Sequence, residues 1–407
     1  MSDHAERYAP IGGRLLTAPV IILAALSAMG ISFVVWRFLA GLGAVTALND
    51  GYPWGLWITM DVVVGTALAC GGYAVAVLVY LLNRRRYHPL MRSAIVTSVM
   101  GYTLGGFGVM LDLGRFYNVY QLPLFWNWNV HSVLLEVALC ITTYIVVLWV
   151  ELSPAILDRT ATMRSERLRR VTAWIRPKLE IVLPFLIALG MLLPTMHQSS
   201  LGSLMMLAGY KLHPLWQTPF LPLLFLISCL AMGYAIVVIE SSLSAAAFRR
   251  PGETHLLSSL GLASSVAMWL YVGIRVVDVV RRDMLAAAVA LDRHSVLFLI
   301  EMALFVAAAT LLTVRRTRTS ARWLFRAAVL AVAAGGLYRF STFLLAFDPG
   351  RGWKYFPAVS EILTTVGLFS LEILAYVLFV KYLPILPAPQ PPASKGVGTA
   401  GHASVVH

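Results

Sequence analysis

Residues 55–82 read GLWITMDVVVGTALACGGYAVAVLVYLL, and Asp61 is the single charged residue in this stretch. A helix needs about 20 predominantly apolar residues to cross the hydrocarbon core of a bilayer. The stretch exceeds that length, so it predicts a transmembrane helix. A transmembrane barrel would show short segments of alternating hydrophobicity instead of an unbroken apolar run.

The rest of the chain repeats this pattern. Of its 407 residues, 59% are hydrophobic and 13% are charged, and the mean hydropathy is +0.78. Soluble domains carry about 25% charged residues, so the composition excludes a water-soluble enzyme, a disordered chain and a secreted disulfide scaffold. The predicted transmembrane helices lie at 16–38, 55–82, 93–112, 129–150, 179–197, 218–240, 256–279, 294–313, 323–347 and 358–382.

Basic residues divide the loops into two classes. The formal net charge is +13, and the basic tracts at 84–92, 159–178, 249–250 and 315–322 alternate with loops that hold few Lys or Arg. The positive-inside rule places these tracts and both termini in the cytoplasm. Since the positive charge follows topology and no nucleic-acid motif is present, we expect a lipid bilayer and no nucleic acid as partner.

Four short matches indicate an internal duplication. Each pair is 161 to 166 residues apart: Pro19 with Pro184, Gly72-Tyr73-Ala74 with Gly233-Tyr234-Ala235, Asp112-x-x-Arg115 with Asp278-x-x-Arg281, and His131-Ser-Val-Leu with His294-Ser-Val-Leu. Four helices per copy would give both copies the same orientation, which is a parallel repeat. The alternative is coincidence within a low-complexity apolar alphabet.

The predicted fold is therefore an all-α integral membrane fold of about ten transmembrane helices. It consists of two parallel-duplicated four-helix bundles followed by two C-terminal helices. The predicted division is a cytoplasmic N-terminus at 1–15, a first bundle at 16–150, a basic cytoplasmic loop at 151–178, a second bundle at 179–313, a helix pair at 314–383 and a disordered cytoplasmic tail at 384–407.

Ionisable residues inside the predicted helices crowd the outer side. A charge in hydrocarbon costs at least about 2.5–3.5 kcal/mol, so each such residue is a candidate for function. We predict a polar pocket that opens outward; near-interface ion pairs are the alternative for the shallower residues. The outer set comprises Arg37, Asp61, Asp112, Arg115, His131, Glu136, His197, Arg275, Asp278, His294, Glu301, Arg339 and Glu361, with Glu372 near mid-depth and Glu240 at a cytoplasmic helix end.

The histidines raise the question of haem b, which needs axial imidazoles on facing helices at matched depth. His131, His197 and His294 instead fall at predicted helix ends, so we do not expect haem b. The three cysteines form no CxxC pair, and no zinc-ligand spacing is present. We therefore expect no metal site, and a haem b carrier remains an alternative that a Soret band would establish.

Five segments resemble the NrfD/polysulphide-reductase family of integral membrane subunits, and especially members that serve hydrogenase-2-type nickel–iron hydrogenases. The segments are PWGLWITMD (53–61), GYTLGGFGVMLDLGRFYN (101–118), LPTMHQSSLGSLM (193–205), GYKLHPLWQ (209–217) and KYLPILP (381–387). The resemblance covers about residues 10–387.

The resemblance implies a multi-pass subunit of the bacterial cytoplasmic (inner) membrane that holds no catalytic centre of its own. Its implied partners are a ferredoxin-like iron–sulphur subunit on the periplasmic side and the large and small subunits of a nickel–iron hydrogenase. Electrons would pass from the iron–sulphur subunit to quinone, menaquinone or ubiquinone, in the membrane pool. Proton translocation is a further implied possibility.

Quinone reduction takes up two protons, so its site needs hydrogen-bonding groups, a proton supply and apolar walls. We predict the quinone-binding residues Asp61, Trp57, Arg37, Asp112 and His131, with Asp61 as proton donor or hydrogen-bond partner of the head group. The predicted proton pathway comprises Glu136, Glu240, Glu301 and Glu372. Alternatives are a subunit of another quinone-linked oxidoreductase and a secondary transporter, although a transporter should place its charges at the midplane.

Overall fold

A computed structural model describes residues 8–387 of the protein. Its secondary structure is almost entirely helical, and the predicted all-α membrane fold with ten spans is confirmed. The predicted tail lies outside the described residues from residue 388 onward, as do residues 1–7. The ten long helices are α1 (Ala18–Ala40), α2 (Trp57–Leu81), α3 (Arg85–Asp112), α4 (Val133–Ala161), α5 (Glu166–Leu207), α6 (Leu221–Ala247), α7 (Thr254–Arg281), α8 (Arg293–Thr313), α9 (Ala321–Leu345) and α10 (Val359–Tyr382).

Helix α2, which contains Asp61 in its long apolar run, is the most buried of the ten. A helix that is apolar on all sides is expected in such a position. Its first part, Trp57–Val64, is π-helical, and so is Ser341–Leu345 at the end of α9. π-helical turns are rare and occur frequently at functional sites.

The helices group differently from the predicted division. Helices α2 to α5 pack together as one bundle and α6 to α9 as a second, while α1 packs along α10. A Cβ atom at Gly30 of α1 would lie 2.6 Å from the Cα atom of Gly367 in α10, so only glycine allows this approach. The prediction counted four helices from the N-terminus, whereas this close contact joins the first helix to the last.

Three of the four sequence matches fall on equivalent helices of these two bundles. The Gly-Tyr-Ala, Asp-x-x-Arg and His-Ser-Val-Leu pairs relate α2 to α6, α3 to α7 and α4 to α8, while Pro19 and Pro184 lie on helices that are not equivalent. The bundles meet where equivalent helices cross, since a Cβ at Gly233 would lie 2.8 Å from the carbonyl oxygen of Cys70. This arrangement agrees with a parallel repeat.

The predicted loop 151–178 is helical over most of its length. Helix α4 extends to Ala161 and α5 begins at Glu166. Helix α5 has 42 residues, about 63 Å at 1.5 Å per residue, and its basic first turns project beyond the span. Arg, Leu and Glu favour helix, which explains why a charged segment here is not a loop.

The two ends of the described chain meet on the inner side of the molecule, which is the predicted cytoplasmic side. Strand β1 (Tyr8–Ala9) pairs antiparallel with β2 (Leu386–Pro387). The Arg92 guanidinium lies 4.2 Å from the ring centre of Tyr8 and forms an ion pair of 2.8 Å with Asp158. These contacts fix the start of α1 and the end of α10 against the first bundle.

Candidate functional site

The largest cavity described has a volume of about 670 Å³ and lies at the outer end of the first bundle. Volumes of 300–1,000 Å³ are typical of small-molecule sites. The walls come from α2, α3, α4, α5, the loop after α3 and the end of α9. The lining residues include Trp54, Ile58, Val62, Gly106, Val109, Asp112, Arg115, Asn118, Gln121, Asn127, Trp128, Leu135, Ile141, Leu201, Leu204 and Phe343.

Most polar groups of the cavity come from one part of the chain. Asp112 and the residues that follow α3 supply its charged and amide groups, Thr142 of α4 adds a hydroxyl, and aliphatic and aromatic side chains form most of the remainder. The outer loop is positioned by Trp128, whose indole nitrogen donates to the carbonyl of Leu122 at 2.8 Å. Such a site could hold a flat, largely apolar ligand with a few polar atoms at one end.

Asp112 is the acid of this cavity. It is the last residue of α3, and its Oδ1 atom is buried without a hydrogen-bond partner. The predicted i,i+3 partner Arg115 makes no ion pair among the described residues. Arg37 and Glu361 are the charged groups that act on the Asp112 carboxyl. The Gly55 amide also acts on this carboxyl, so the Oδ1 atom is the part that is available to a ligand.

Asp61 lies between α2, α3 and α10 and does not line the large cavity. It is 6% exposed, and its Oδ2 atom accepts a hydrogen bond of 3.4 Å from Thr365 of α10. A Cβ at Gly108 would lie 3.2 Å from the Cβ of Asp61. Since Gly108 precedes Asp112 by one helical turn, Asp61 sits about one turn below the acid of the cavity.

A narrow cleft joins Asp61 to Glu372. Both line a space of about 10 Å³ between α2, α3 and α10, which is room for one water molecule. A Cβ at Gly101 would lie 3.0 Å from the Glu372 Oε1 atom. The glycines of α3 therefore allow close packing and also leave space beside the carboxyl groups.

Glu240 lies further inward on the same side. Its Oε1 atom accepts from the Tyr376 hydroxyl at 2.8 Å and its Oε2 atom from the Thr97 hydroxyl at 2.7 Å. Tyr376 follows Glu372 by one turn of α10. Glu240 and Tyr376 also line a crevice of about 30 Å³ at the inner end of the bundle, beside Arg250.

Three residues of the predicted quinone site have structural contacts elsewhere. Arg37 is buried and donates to the carbonyls of Leu111 (2.7 Å) and Leu113 (2.5 Å). The buried Trp57 indole donates to the carbonyl of Glu361 at 3.2 Å. His131 is exposed before α4. None of the three lines the large cavity, so Asp112 is the member of the predicted set that the structure places there.

Glu136 and Glu301, the other two residues of the predicted proton pathway, lie apart from this line of carboxyl groups. Glu136 accepts a hydrogen bond of 2.7 Å from Ser200 on α5. Glu301 is fully buried in the second bundle, where it accepts from Trp216 (3.1 Å) and Tyr271 (2.9 Å). Four predicted proton carriers therefore occupy three places in the molecule.

The two bundles differ at the aspartates that the repeat relates. Asp278, the equivalent of Asp112, accepts from Arg282 at 2.6 Å and from Thr218 at 2.8 Å. Arg275 approaches it to 3.9 Å, whereas the predicted partner Arg281 does not pair with it. The second bundle thus holds a closed ionic network where the first holds a cavity.

Four of the described histidines, His88, His197, His213 and His294, lie in settings that differ from a pair of axial haem ligands. His197 is buried, with Nε2 3.1 Å from the Thr66 hydroxyl. His213 and His294 stack at 4.3 Å between ring centres, which leaves no room for a porphyrin between them. His88 lines a cavity of about 180 Å³, below the usual range for ligands of drug size. The described residues contain no cluster suited to a metal ion.

Outside the membrane, burial and the neighbouring His294 lower the pKa of His213 below its ordinary value. The Nδ1 atom of His213 accepts a hydrogen bond from the Leu215 amide at 3.3 Å. This contact requires the neutral ring, since a protonated Nδ1 has no free lone pair. His213 therefore holds the outer loop before α6 in a form that favours neutral imidazole.

Several residues that line cavities were not predicted from the sequence. The Trp54 indole donates to the carbonyl of Phe343 at 2.9 Å, and both residues form the wall of the large cavity. Glu151 lines the 180 Å³ cavity at the inner end of the first bundle, together with Tyr73 and Tyr144. Glu151 fell one residue beyond the predicted helix, and no sequence signal links Trp54 to Phe343.

The geometry defines a polytopic helical membrane protein with a cavity of ligand size at one end of its first bundle. The family model for polysulphide reductase, NrfD, matches residues 44–347. The chain belongs to this family, as its sequence motifs predicted. The matched region begins just before α2 and ends after α9, so it contains both bundles and leaves out the α1–α10 pair.

Two full-length relatives are similar to this chain. The probable Ni/Fe-hydrogenase 2 b-type cytochrome subunit of Escherichia coli (strain K12) is 42% identical over 384 residues, which is 93% of this chain and 95% of the relative. A protein of Nitratidesulfovibrio vulgaris (strain Hildenborough) is 35% identical over 397 residues, 93% of this chain and 97% of the relative.

A third relative covers less. The integral membrane subunit of menaquinone reductase from Nitratidesulfovibrio vulgaris is 33% identical over 178 residues, 42% of this chain and 39% of the relative.

Proposed function

We propose that this chain is the quinone-reactive membrane subunit of a periplasm-facing nickel–iron hydrogenase complex. It would pass electrons from an iron–sulphur partner to the quinone pool of the inner membrane. The observation that carries the proposal is the 670 Å³ cavity with Asp112 at its polar end. The names of the relatives, a hydrogenase subunit and a menaquinone reductase subunit, support the choice of ligand and partner.

The cavity suits the chemistry of a quinone. Its aromatic and aliphatic walls match the ring and the isoprenoid tail, and its polar end offers a carboxyl group to a carbonyl oxygen of the ring. Since the Oδ1 atom of Asp112 has no hydrogen-bond partner, we assign Asp112 as the donor of the proton that accompanies reduction. Asp61, the predicted donor, lies one turn behind it, and we assign Asp61 to reprotonating Asp112.

The carboxyl groups along α10 support a proton route to the inner side. Asp61 and Glu372 share one cleft, Glu372 and Tyr376 are one turn apart, and Tyr376 donates to Glu240. Glu240 lines a crevice at the inner end of the bundle. We propose that protons for quinone travel this line from the cytoplasm, so that turnover moves charge across the membrane.

Glu136 and Glu301 take different parts in this proposal. Glu136, held by Ser200, lies near the cavity wall that α4 and α5 form and would deliver a proton from that side. Glu301 is enclosed in the second bundle by Trp216 and Tyr271. It would act only if that network opened, so we rank it last among the predicted carriers.

The outer loop between α3 and α4 supports the proposed partner. Tyr117, Tyr120, Phe125 and Trp126 are all more than 60% exposed on it, and exposed aromatic groups are enriched at protein interfaces. The same loop supplies Asn118 and Gln121 to the cavity. A ferredoxin-like iron–sulphur subunit docked here would bring its cluster close to the quinone.

Quinone binding to the purified complex tests the cavity. Val109→Trp places an indole in the cavity, and Val266→Trp makes the same change at a position on α7 that is 63% exposed toward lipid. We expect a short-chain menaquinone analogue to bind the wild type and the Val266 variant and to lose at least tenfold affinity in the Val109 variant. Equal binding by all three would refute the assignment of the cavity.

Sealed vesicles that contain the complex test the proton route. Hydrogen-driven quinone reduction should generate a membrane potential in the wild type. Glu372→Gln should abolish the potential, and Glu180→Gln, a change at an exposed position of α5, should leave it intact. Reduction of a soluble dye by hydrogen should be unchanged in both. A normal potential in the Glu372 variant would contradict the route.

A further inference from the structure

A fully buried arginine of the second bundle lies behind the wall of the cavity. Arg339 on α9 is 0% exposed. It donates from Nη1 to the carbonyl of Val63 on α2 at 3.0 Å and from Nη2 to the carbonyl of Phe225 on α6 at 2.6 Å. The guanidinium also lies 4.8 Å from the ring centre of Phe225. Arg339 thus joins the two bundles at their interface.

The charge of Arg339 has no carboxylate partner among the described residues. The titratable groups that act on it are thiols and phenols, those of Cys70, Cys229, Tyr102 and Tyr338. Its Nε atom is buried without a hydrogen-bond partner. A guanidinium stays charged in proteins. The interior therefore contains a permanent positive charge that only backbone carbonyls and the Ser228 hydroxyl (3.2 Å) compensate.

Two π-helical segments place this charge beside the cavity. Val63, which accepts from Arg339, follows Val62 of the cavity wall in the first π-helical segment. The second segment begins two residues after Arg339 and carries Phe343, also in the wall. On α2 the carbonyl that accepts from Arg339 belongs to the residue after Val62 of the wall, and on α9 Phe343 of the wall follows Arg339 by about one helical turn.

We propose that Arg339 is a positioning residue that stabilises the reduced, negatively charged form of the quinone in the cavity. The inference rests on the proposed function. A positive charge in a low-dielectric interior acts over a longer distance than in water. It therefore raises the potential at which bound quinone accepts electrons and draws electrons from the partner toward the cavity. The second bundle would in this way tune a site that it does not contain.

The first test measures the reduction potential of quinone bound to the purified complex, by titration of its ultraviolet absorbance. Arg339→Gln removes the charge and Arg339→Lys keeps it, while Arg326→Gln removes an exposed charge from the same helix. We expect the Gln variant at 339 to bind the reduced form at least tenfold more weakly relative to the oxidised form. The Lys variant should recover most of this difference, and the Arg326 variant should match the wild type.

A second test does not require that a variant at 339 folds. A hydroxynaphthoquinone that ionises below neutral pH is compared with its uncharged methyl ether at pH 7. The host is the Arg115→Gln variant, which removes the positive charge that lines the cavity itself. We expect the anion to bind at least tenfold more tightly than the ether. Equal binding would overturn the role of Arg339, as would an unchanged potential in Arg339→Gln; failure of both ligands to bind the wild type would instead refute the cavity as a quinone site.

Discussion

The repeat relates Asp278 to Asp112, but the same substitution should have different effects at the two positions. At Asp278 it should lower stability, and at Asp112 it should lower activity. Asp278→Asn removes a negative charge that Arg282 and Thr218 contact at 2.6 and 2.8 Å, and it removes one of the two carboxylates, Asp278 and Glu301, that act on the fully buried Arg275. Breaking a buried ion pair from one side costs about 3–5 kcal/mol. We therefore expect Asp278→Asn to lower the free energy of unfolding by about this amount.

Asp112→Asn should leave stability nearly unchanged and remove function. Asp112 forms no ion pair within 4 Å, and the oxygen of an asparagine can still accept from the Gly55 amide. Arg37 loses only a longer-range attraction, so we expect a change of about 1 kcal/mol, smaller than that for Asp278→Asn. Loss of a positioned general acid typically lowers a rate by about 10²–10⁴-fold. Hydrogen-to-quinone electron transfer should fall accordingly, while hydrogen-to-dye transfer stays normal.

Both quantities can be measured on the same preparations. Unfolding of the purified complex in a series of mixed micelles gives the change in stability, and quinone and dye assays give the two rates. Equal losses of stability in the two variants would contradict the predicted difference between the bundles. Quinone reduction by Asp112→Asn at the rate of the wild type would contradict the role of Asp112.

Three further outcomes are expected. Gly367→Leu should separate α10 from Gly30 of α1 and lower the melting temperature of the purified protein, whereas Gly273→Leu, where nothing lies within 4 Å, should not; equal melting temperatures would contradict the contact. Because the pKa of His213 is lowered in the folded state, the unfolded chain binds more protons there, so stability should be complete above pH 6.5, the ordinary imidazole value, and fall below it. His213→Gln should flatten this dependence in unfolding measurements between pH 5 and 8, and an unchanged slope would exclude His213 as its source. The absorption spectrum of the purified chain should lack a Soret band, and a band at stoichiometric intensity would establish haem b instead.

Hydrophobicity was sufficient to predict the membrane-spanning helices, but it did not predict which helices pack against each other. Every apolar stretch became a helix because backbone groups in a membrane must be paired within the segment. The partner of α1 depends instead on two glycines, Gly30 and Gly367, that are far apart in the chain and identical to many others. A pattern of apolar residues carries no information about such a pairing.

The candidate site was predictable only in part. An acid at the outer end of α3 follows from a charged residue in an apolar run, and Asp112 does line the cavity. The side of α2 that carries Asp61 could not be predicted, because the π-helical segment Trp57–Val64 shifts the helical period. The wall formed by Trp54 and Phe343 joins residues 289 apart in sequence, which no local signal reports.

The pairing of α1 with α10 has a consequence for how the chain is made. Gly30 is synthesised before nearly all of the protein, and Gly367 follows it by 367 − 30 = 337 residues. At about 5–20 residues per second, roughly 17–70 s would pass between the synthesis of α1 and the synthesis of α10, with which it packs. Its mostly lipid-facing apolar surface suits that interval, and the last helix to be inserted then closes the assembly around the first.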